Sequence, residues 1–238
     1  MIVAVIPARG GSKRLPRKNL KLFAGRPLLD YSIMLARSVP EIDRCIVSTE
    51  DDEIAAVALQ CGAEVIERPT ELASDFATTV SVVQHALRCL IEQGARPEVV
   101  VTLQPNCPLR PAGLVQSALQ RIGEATDSVI SVTESAHKLG QLQNGYFVPS
   151  YTVGMRSQDM APKFYENGLV YVTQASLVLE QGDLFGPRIL PVVIDPLYAL
   201  GDIDTEFEFE IAEMLFHRYR DHFAWAMDEQ QPTKQETA

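Results

Sequence analysis

The chain has 238 residues, 46% hydrophobic and 22% charged, an ordinary globular balance with enough length for a large core. Its formal charge of −10 argues against wrapping nucleic acid or lying on an anionic membrane. No apolar run is long enough to span a bilayer, no secretory leader is expected, and the four widely spaced cysteines read as reduced thiols of a cytoplasmic protein.

Ile2-Val3-Ala4-Val5-Ile6, ended by Pro7, predicts a buried strand. A glycine-rich basic loop follows over 8–19, and Pro27 then opens a helix that buries Leu28, Leu29, Ile33, Met34 and Leu35. Strands are expected at 45–48, 63–66, 98–103 and 128–132, separated by helices at 54–60, 80–91 and 114–122. Strands at 169–173 and 189–194 and a closing amphipathic helix at 207–219 complete the series. Such alternation argues for an α/β fold, a doubly wound parallel sheet with helices on both faces. Between 133 and 165 the pattern breaks into Gly, Asn, Pro and aromatic residues, which suggests a hairpin excursion from the main sheet. One domain over 1–227 is expected, with a polar, frayed tail at 228–238.

The charge is segregated. Residues 1–29 carry Arg9, Lys13, Arg14, Arg17, Lys18, Lys21 and Arg26 and no acid, against the net negative charge of the whole chain. By itself a basic loop is a solvated face. Here it follows the first strand of an α/β sheet, where ligands bind, and Gly10 and Gly11 would let backbone amides approach an anion. Neither a Walker A loop nor a GxGxxG fingerprint is present, so spacing reaches a diphosphate or triphosphate cradle and no particular nucleotide.

IPARGGSKRLPRKN followed by KLFAGRPLLDYSI resembles the opening signature of the acylneuraminate (sialic-acid-type) cytidylyltransferases. The resemblance continues in order through IVSTEDDEIA, ERPTELASDFATT, LQPNCPLR, YENGLVYV and GDIDTEFEFEIAE, covering about residues 2–213. It implies a Rossmann-like three-layer α/β/α nucleotidyltransferase fold with a small protruding dimerisation element, placed at about 134–165, and hence a homodimer. It also implies roles by position. Arg9, Gly10, Gly11, Ser12, Lys13, Lys18 and Asn19 would hold CTP, with Arg9 and Lys18 stabilising charge in the transfer itself. Arg68 would recognise the cytosine ring, and Thr79 would touch the nucleotide unless it caps a helix, as one of Thr78 and Thr79 should.

Gln104, Arg156 and Asn167 match positions on the acceptor-sugar side, Arg156 being suited to clamp a carboxylate. Asp202 and Asp204 match the metal-binding, catalytic aspartates, and two carboxylates two apart in an extended segment can share one Mg²⁺. The sequence departs from the family pattern at Asn106 and Cys107, which replace a Thr-Ser pair, and at Tyr165, which stands where many members carry Arg. Cys107 reads as a packing residue, and His85, His217 and His222 form no ligand constellation. The expected activity is transfer of CMP from CTP to a 2-keto-3-deoxy sugar acid of the nonulosonic type, with release of pyrophosphate. An octulosonate or other acid acceptor, and a catalytically silent nucleotide-binding protein, stand as the alternatives.

Overall fold

The computed structural model describes residues 1–226; the tail expected at 228–238 lies outside the described residues. In chain order the first half runs β1 (Ile2–Pro7), β2 (Leu22–Phe23), β3 (Arg26–Pro27), α1 (Leu28–Ser38), β4 (Arg44–Thr49), α2 (Asp52–Gln60), β5 (Glu64–Glu67), α3 (Thr79–Glu92), β6 (Val99–Thr102) and α4 (Leu114–Leu119). The second half runs β7 (Ser128–Ser135), β8 (Gly140–Gln143), β9 (Tyr146–Pro149), β10 (Lys163–Gln174), β11 (Ile189–Val193), α5 (Pro196–Ala199) and α6 (Glu206–Arg218).

Seven strands form one sheet in the order β11-β7-β10-β6-β1-β4-β5. Its central strands are apolar on both faces because both faces are covered. Ala4 and Ile6 of β1 point into a core shared with α1, α2 and α4, whereas Val3 and Val5 point into a second core built on α3. On α3, Val82, Val83, Ala86, Leu87 and Leu90 recur at helical spacing and are buried. Each of these valines and leucines contributes about 1.5–3 kcal/mol by leaving water. A third cluster packs α6 through Phe209, Ala212, Leu215 and Phe216 against Phe23, Leu28 and Tyr31.

The sheet corrects one expectation. β10 runs antiparallel to both β6 and β7, which flank it. After β7 the chain turns back through the β8–β9 hairpin instead of crossing over by a helix, so the returning strand enters the sheet reversed and fills the slot between β6 and β7. Asn144 and Gly145, both with positive φ, make the hairpin turn. The pairing of β10 with β7 slips between Glu166 and Tyr171, leaving a bulge around Asn167 and Gly168.

Candidate functional site

β1 leads to β4 and β5 on one side, and the chain then returns to place β6 on the other, so the order of strands reverses between β1 and β6, which run parallel. At the carboxyl ends of these two strands lies a cleft of about 480 Å³, the place where open α/β sheets bind ligands. Pro7 at the end of β1 and Gln104 just beyond β6 line it, together with the basic loop, the 68–79 segment and Asp204.

Five cations face this cleft, Arg9, Lys13, Arg14, Lys18 and Arg68, against two acids, Asp75 and Asp204. The loop is shaped from within. Asn19, 5% exposed, donates its side-chain amide to the Arg9 carbonyl at 2.9 Å. Arg17 takes a left-handed conformation and ion-pairs with Asp51, whose carboxylate also caps α2 by accepting from Glu53 and Ile54. The Arg17 guanidinium therefore holds the Asp51 carboxyl below the usual carboxylate range. A Cβ on Gly10 would overlap that carboxylate, so glycine is required there by close approach.

The Gly10 amide differs from expectation. It donates to Glu50 Oε1 at 2.8 Å, so its N–H is engaged by a carboxylate inside the protein, and neither Gly10 nor Gly11 lines the cleft. The same Glu50 accepts from Arg68 Nε at 2.9 Å and so ties the basic loop to Arg68. Arg68 is 5% exposed, burial lowers its pKa, and its Nη2 is buried without an acceptor among the described residues. A lone buried donor at the wall of a cleft is free to bond a water or a ligand acceptor there.

Ser12, Lys13, Lys18 and Thr79 line the cleft as well. Thr78 caps α3, its hydroxyl accepting from Ser81 N–H at 3.2 Å, which leaves Thr79 at the first helical position. Asp75 bridges Arg9 Nη1, at 3.0 Å, and Lys13, and these cations hold its carboxyl low. Across the cleft, Lys18 Nζ donates to Asp204 at 2.8 Å and to the Ile203 carbonyl at 2.7 Å, and Arg14 reaches Asp204 at 2.5 Å.

Ile203 is wholly buried, so the alternation of an extended segment turns Asp202 and Asp204 outward on either side of it. A Cβ at the preceding Gly201 would stand 2.6 Å from Leu109, and glycine lets the segment pack that closely. Asp202 is exposed, yet desolvation by the surrounding protein and the neighbouring Asp204 charge raise its carboxyl above the ordinary range. Among the described residues no cluster of three or more His, Cys, Asp or Glu could hold a metal ion. Asp204 in the cleft wall and Asp202 just outside it are nonetheless a donor set that fits Mg²⁺, which takes few protein ligands and completes its shell with phosphate and water.

The other acceptor-side residues are placed differently. Asn167 is 7% exposed and engaged within the sheet, donating to Thr133 Oγ1 at 2.9 Å and accepting from Ser131 and from Leu169 N–H. It pins the β10 bulge and does not line the cleft. Arg156 is exposed on the segment between β9 and β10, forms a forked ion pair with Asp159, and also stands outside the cleft of its own chain. Sequence reasoning places Arg14 in the basic loop without a partner and misses Glu50, Asp75 and the buried Arg110. Cys107 is buried, with its thiol pushed up to about 12 by desolvation, as suits a packing residue.

Residues 3–182 match the model of a family described as cytidylyltransferase. The chain belongs to the cytidylyltransferase family. It is 32% identical over 222 residues to a pseudaminic acid cytidylyltransferase of Campylobacter jejuni, covering 90% of this chain and 95% of that one. It is 30% identical to a CMP-N,N'-diacetyllegionaminic acid synthase of Legionella pneumophila, with the same coverage of both chains. An N-acylneuraminate cytidylyltransferase of Escherichia coli is 31% identical over 89% of this chain and 51% of its own length. Among solved structures, a CMP:2-keto-3-deoxy-manno-octonic acid synthetase complexed with CTP superposes with a TM-score of 0.69 at 19% identity, covering 91% of this chain and 98% of the other. A 4-diphosphocytidyl-2C-methyl-D-erythritol synthase of Anaerococcus prevotii gives 0.66 at 16% identity over 91% and 96%. These two structures share the fold. Among the described residues of this cytidylyltransferase, no helix is long and apolar enough to cross a membrane.

Proposed function

We propose that this cytidylyltransferase transfers CMP from CTP to a nonulosonic, sialic-type 2-keto-3-deoxy sugar acid, with Mg²⁺ as cofactor. The observation that carries the reading is the cleft at the β1–β6 switch, where a basic loop faces a carboxylate strap. Pseudaminic, legionaminic and N-acylneuraminic acids, for which the relatives are named, support the acceptor class. The anomeric hydroxyl attacks the α-phosphorus of CTP and releases its proton to water; the new O–P bond forms as the bond from the α-phosphorus to the bridging oxygen breaks, and pyrophosphate leaves with that oxygen.

Arg9, Lys13, Arg14 and Lys18 supply fixed positive charge where negative charge moves onto the leaving group. Arg68, oriented by Glu50, offers its free donor to the base. Asp202 and Asp204 would hold Mg²⁺, which when bound polarises the α-phosphate and lowers the pKa of the attacking hydroxyl. Holding both substrates in one cleft at the ends of two rigid strands supplies orientation, worth several further kcal/mol.

Pyrophosphate release with Mg²⁺, measured over N-acetylneuraminate, legionaminate, pseudaminate and octulosonate with CTP, ATP, GTP and UTP, should be confined to CTP and one nine-carbon acid. Release with octulosonate alone would replace the acceptor and keep the chemistry. CTP binding with no release on any acceptor would favour a silent nucleotide-binding protein.

The same reading includes a homodimer in the cytoplasm. Leu142 and Phe147, cross-strand partners on one face of the β8–β9 hairpin, are 80% and 55% exposed, apolar surface that supports burial against a second copy. Sedimentation velocity should give a dimer, and Leu142→Asp with Phe147→Asp should shift it to monomer; a monomeric wild-type protein would remove the proposal.

A further inference from the structure

The strap bearing Asp202 and Asp204 is gripped from two sides. Lys18 holds its far end through the Ile203 carbonyl and Asp204. Asn106 holds the near end by two independent bonds. Its main-chain carbonyl accepts from Ile203 N–H at 2.8 Å, and its side-chain Nδ2 donates to Asp202 Oδ1 at 2.6 Å. An ionised carboxylate can only accept, so the amide must turn its NH₂ toward Asp202.

The backbone bond fixes where the strap lies; the side-chain bond fixes how the Asp202 carboxylate is rotated. Ile203 is wholly buried and Asp202 is exposed, so without Asn106 the carboxylate would be free to swing on a fixed backbone. With Oδ1 engaged, Oδ2 remains as the atom with which to meet a cation. Asn106 lines the cleft next to Gln104 and Pro105, on the wall where the strap enters.

We infer that Asn106 is a positioning residue that orients the Asp202 carboxylate for a divalent cation, an inference that rests on the function proposed above. It belongs to this chain's own LQPNCPLR segment, one of the places where the sequence leaves the family pattern. The amide does for the carboxylate what outer hydrogen bonds do for metal ligands in general: it selects one rotamer before the ion arrives.

The test uses Asn106→Ala and Asn106→Leu. Both keep the main-chain link to Ile203 and remove only the side-chain donor, and leucine also keeps the volume. Mn²⁺ is titrated into the full chain with and without CTP and followed by electron paramagnetic resonance, beside steady-state pyrophosphate release and thermal melting. Both variants should need about tenfold more Mn²⁺ for half-saturation. At saturating Mn²⁺ the KM for CTP should be unchanged and kcat within about threefold of wild type, the loss being one of affinity. Melting temperatures should stay within about 3 °C, the scale of one exposed hydrogen bond. Mn²⁺ affinity equal to wild type in either variant, or no Mn²⁺ binding by the wild-type protein, would overturn the inference. The titration reads out without turnover, so an inactive wild-type protein that binds Mn²⁺ more tightly than the variants would count against the reaction and in favour of the role of Asn106.

Discussion

Asp202→Ala and Asp204→Ala should each lower kcat for pyrophosphate release by about 10³-fold, a loss of about 4 kcal/mol of transition-state stabilisation. The two should differ in everything else. The Asp202 side chain is exposed and receives its hydrogen bond from Asn106, so its removal should leave far-UV circular dichroism, melting temperature and CTP affinity near wild type. Asp204 accepts from Lys18 at 2.8 Å and Arg14 at 2.5 Å. Its loss should free two cations in the cleft and tighten the binding of CTP or pyrophosphate while turnover collapses. Tighter nucleotide binding with dead chemistry is the signature of a residue that shares the cations of the site with the substrate. A drop of less than about tenfold for Asp202→Ala would take that residue out of the mechanism. CTP affinity unchanged by Asp204→Ala would mean that Lys18 and Arg14 do not reach the phosphates.

Which parts of this architecture are legible in the sequence follows from how local each signal is. β1, β6 and α3 are read almost to the residue because their burial is written as continuous or helically spaced apolar runs. The DID strap is read from its period of two, with Ile203 inward and an aspartate on either side. The direction of β10 is not written locally. A strand of Leu169-Val170-Tyr171-Val172 has the same apolar pattern whether it enters parallel or reversed, and only the return path after β8–β9 decides.

The partners of the basic loop are hidden for the same reason. Arg14 and Asp204 lie 190 residues apart, and Gly10 finds Glu50 across 40. Two glycines in a basic loop suggest amides free for phosphate. The structure uses the Gly10 amide to join the loop to Arg68 through one carboxylate, and the loop groups that line the cleft include the side chains of Arg9, Ser12, Lys13, Arg14 and Lys18. The partners of Asn167 are hidden in a related way: an Asn-Gly pair suits a ligand contact or a strand bulge equally, and its amide bonds Thr133 and Leu169 N–H at the bulge.

Arg110 is where a sequence reader would be furthest from the truth, and it gives the largest expected effect on stability. An arginine between β6 and α4 suggests a surface residue, yet Arg110 is 0% exposed. Its guanidinium donates to the Leu169 carbonyl in the β10 bulge at 2.7 Å, to Ser32 Oγ on α1 at 3.1 Å and to the Gln104 carbonyl at 2.7 Å. None of these acceptors is charged, and burial pulls the pKa of the group down to about 10, still protonated at neutral pH. One planar fork thus joins a helix, the loop that carries Gln104 and the bulge in β10, at the cost of keeping an unneutralised cation in the interior.

The balance of these terms predicts an unusual order of substitutions. Arg110→Met takes its donor from the Leu169 carbonyl, at about 1–3 kcal/mol, while the Gln104 carbonyl keeps the Cys107 N–H and the Ser32 hydroxyl; it also removes a buried charge whose desolvation costs several kcal/mol, so the net loss should be at most about 2 kcal/mol. Arg110→Lys keeps the charge and replaces the fork with one compact ammonium that cannot serve three acceptors spread over three elements. It should therefore lose more, about 3–5 kcal/mol, or about 10 °C in melting temperature. Trp225, the single tryptophan, donates its indole N–H to the Arg110 carbonyl at 2.8 Å, so its fluorescence reports the transition at the site itself. Urea unfolding followed by that signal should rank wild type above methionine above lysine. A lysine variant as stable as wild type would show that the charge, and not the three-way fork, is what this position supplies.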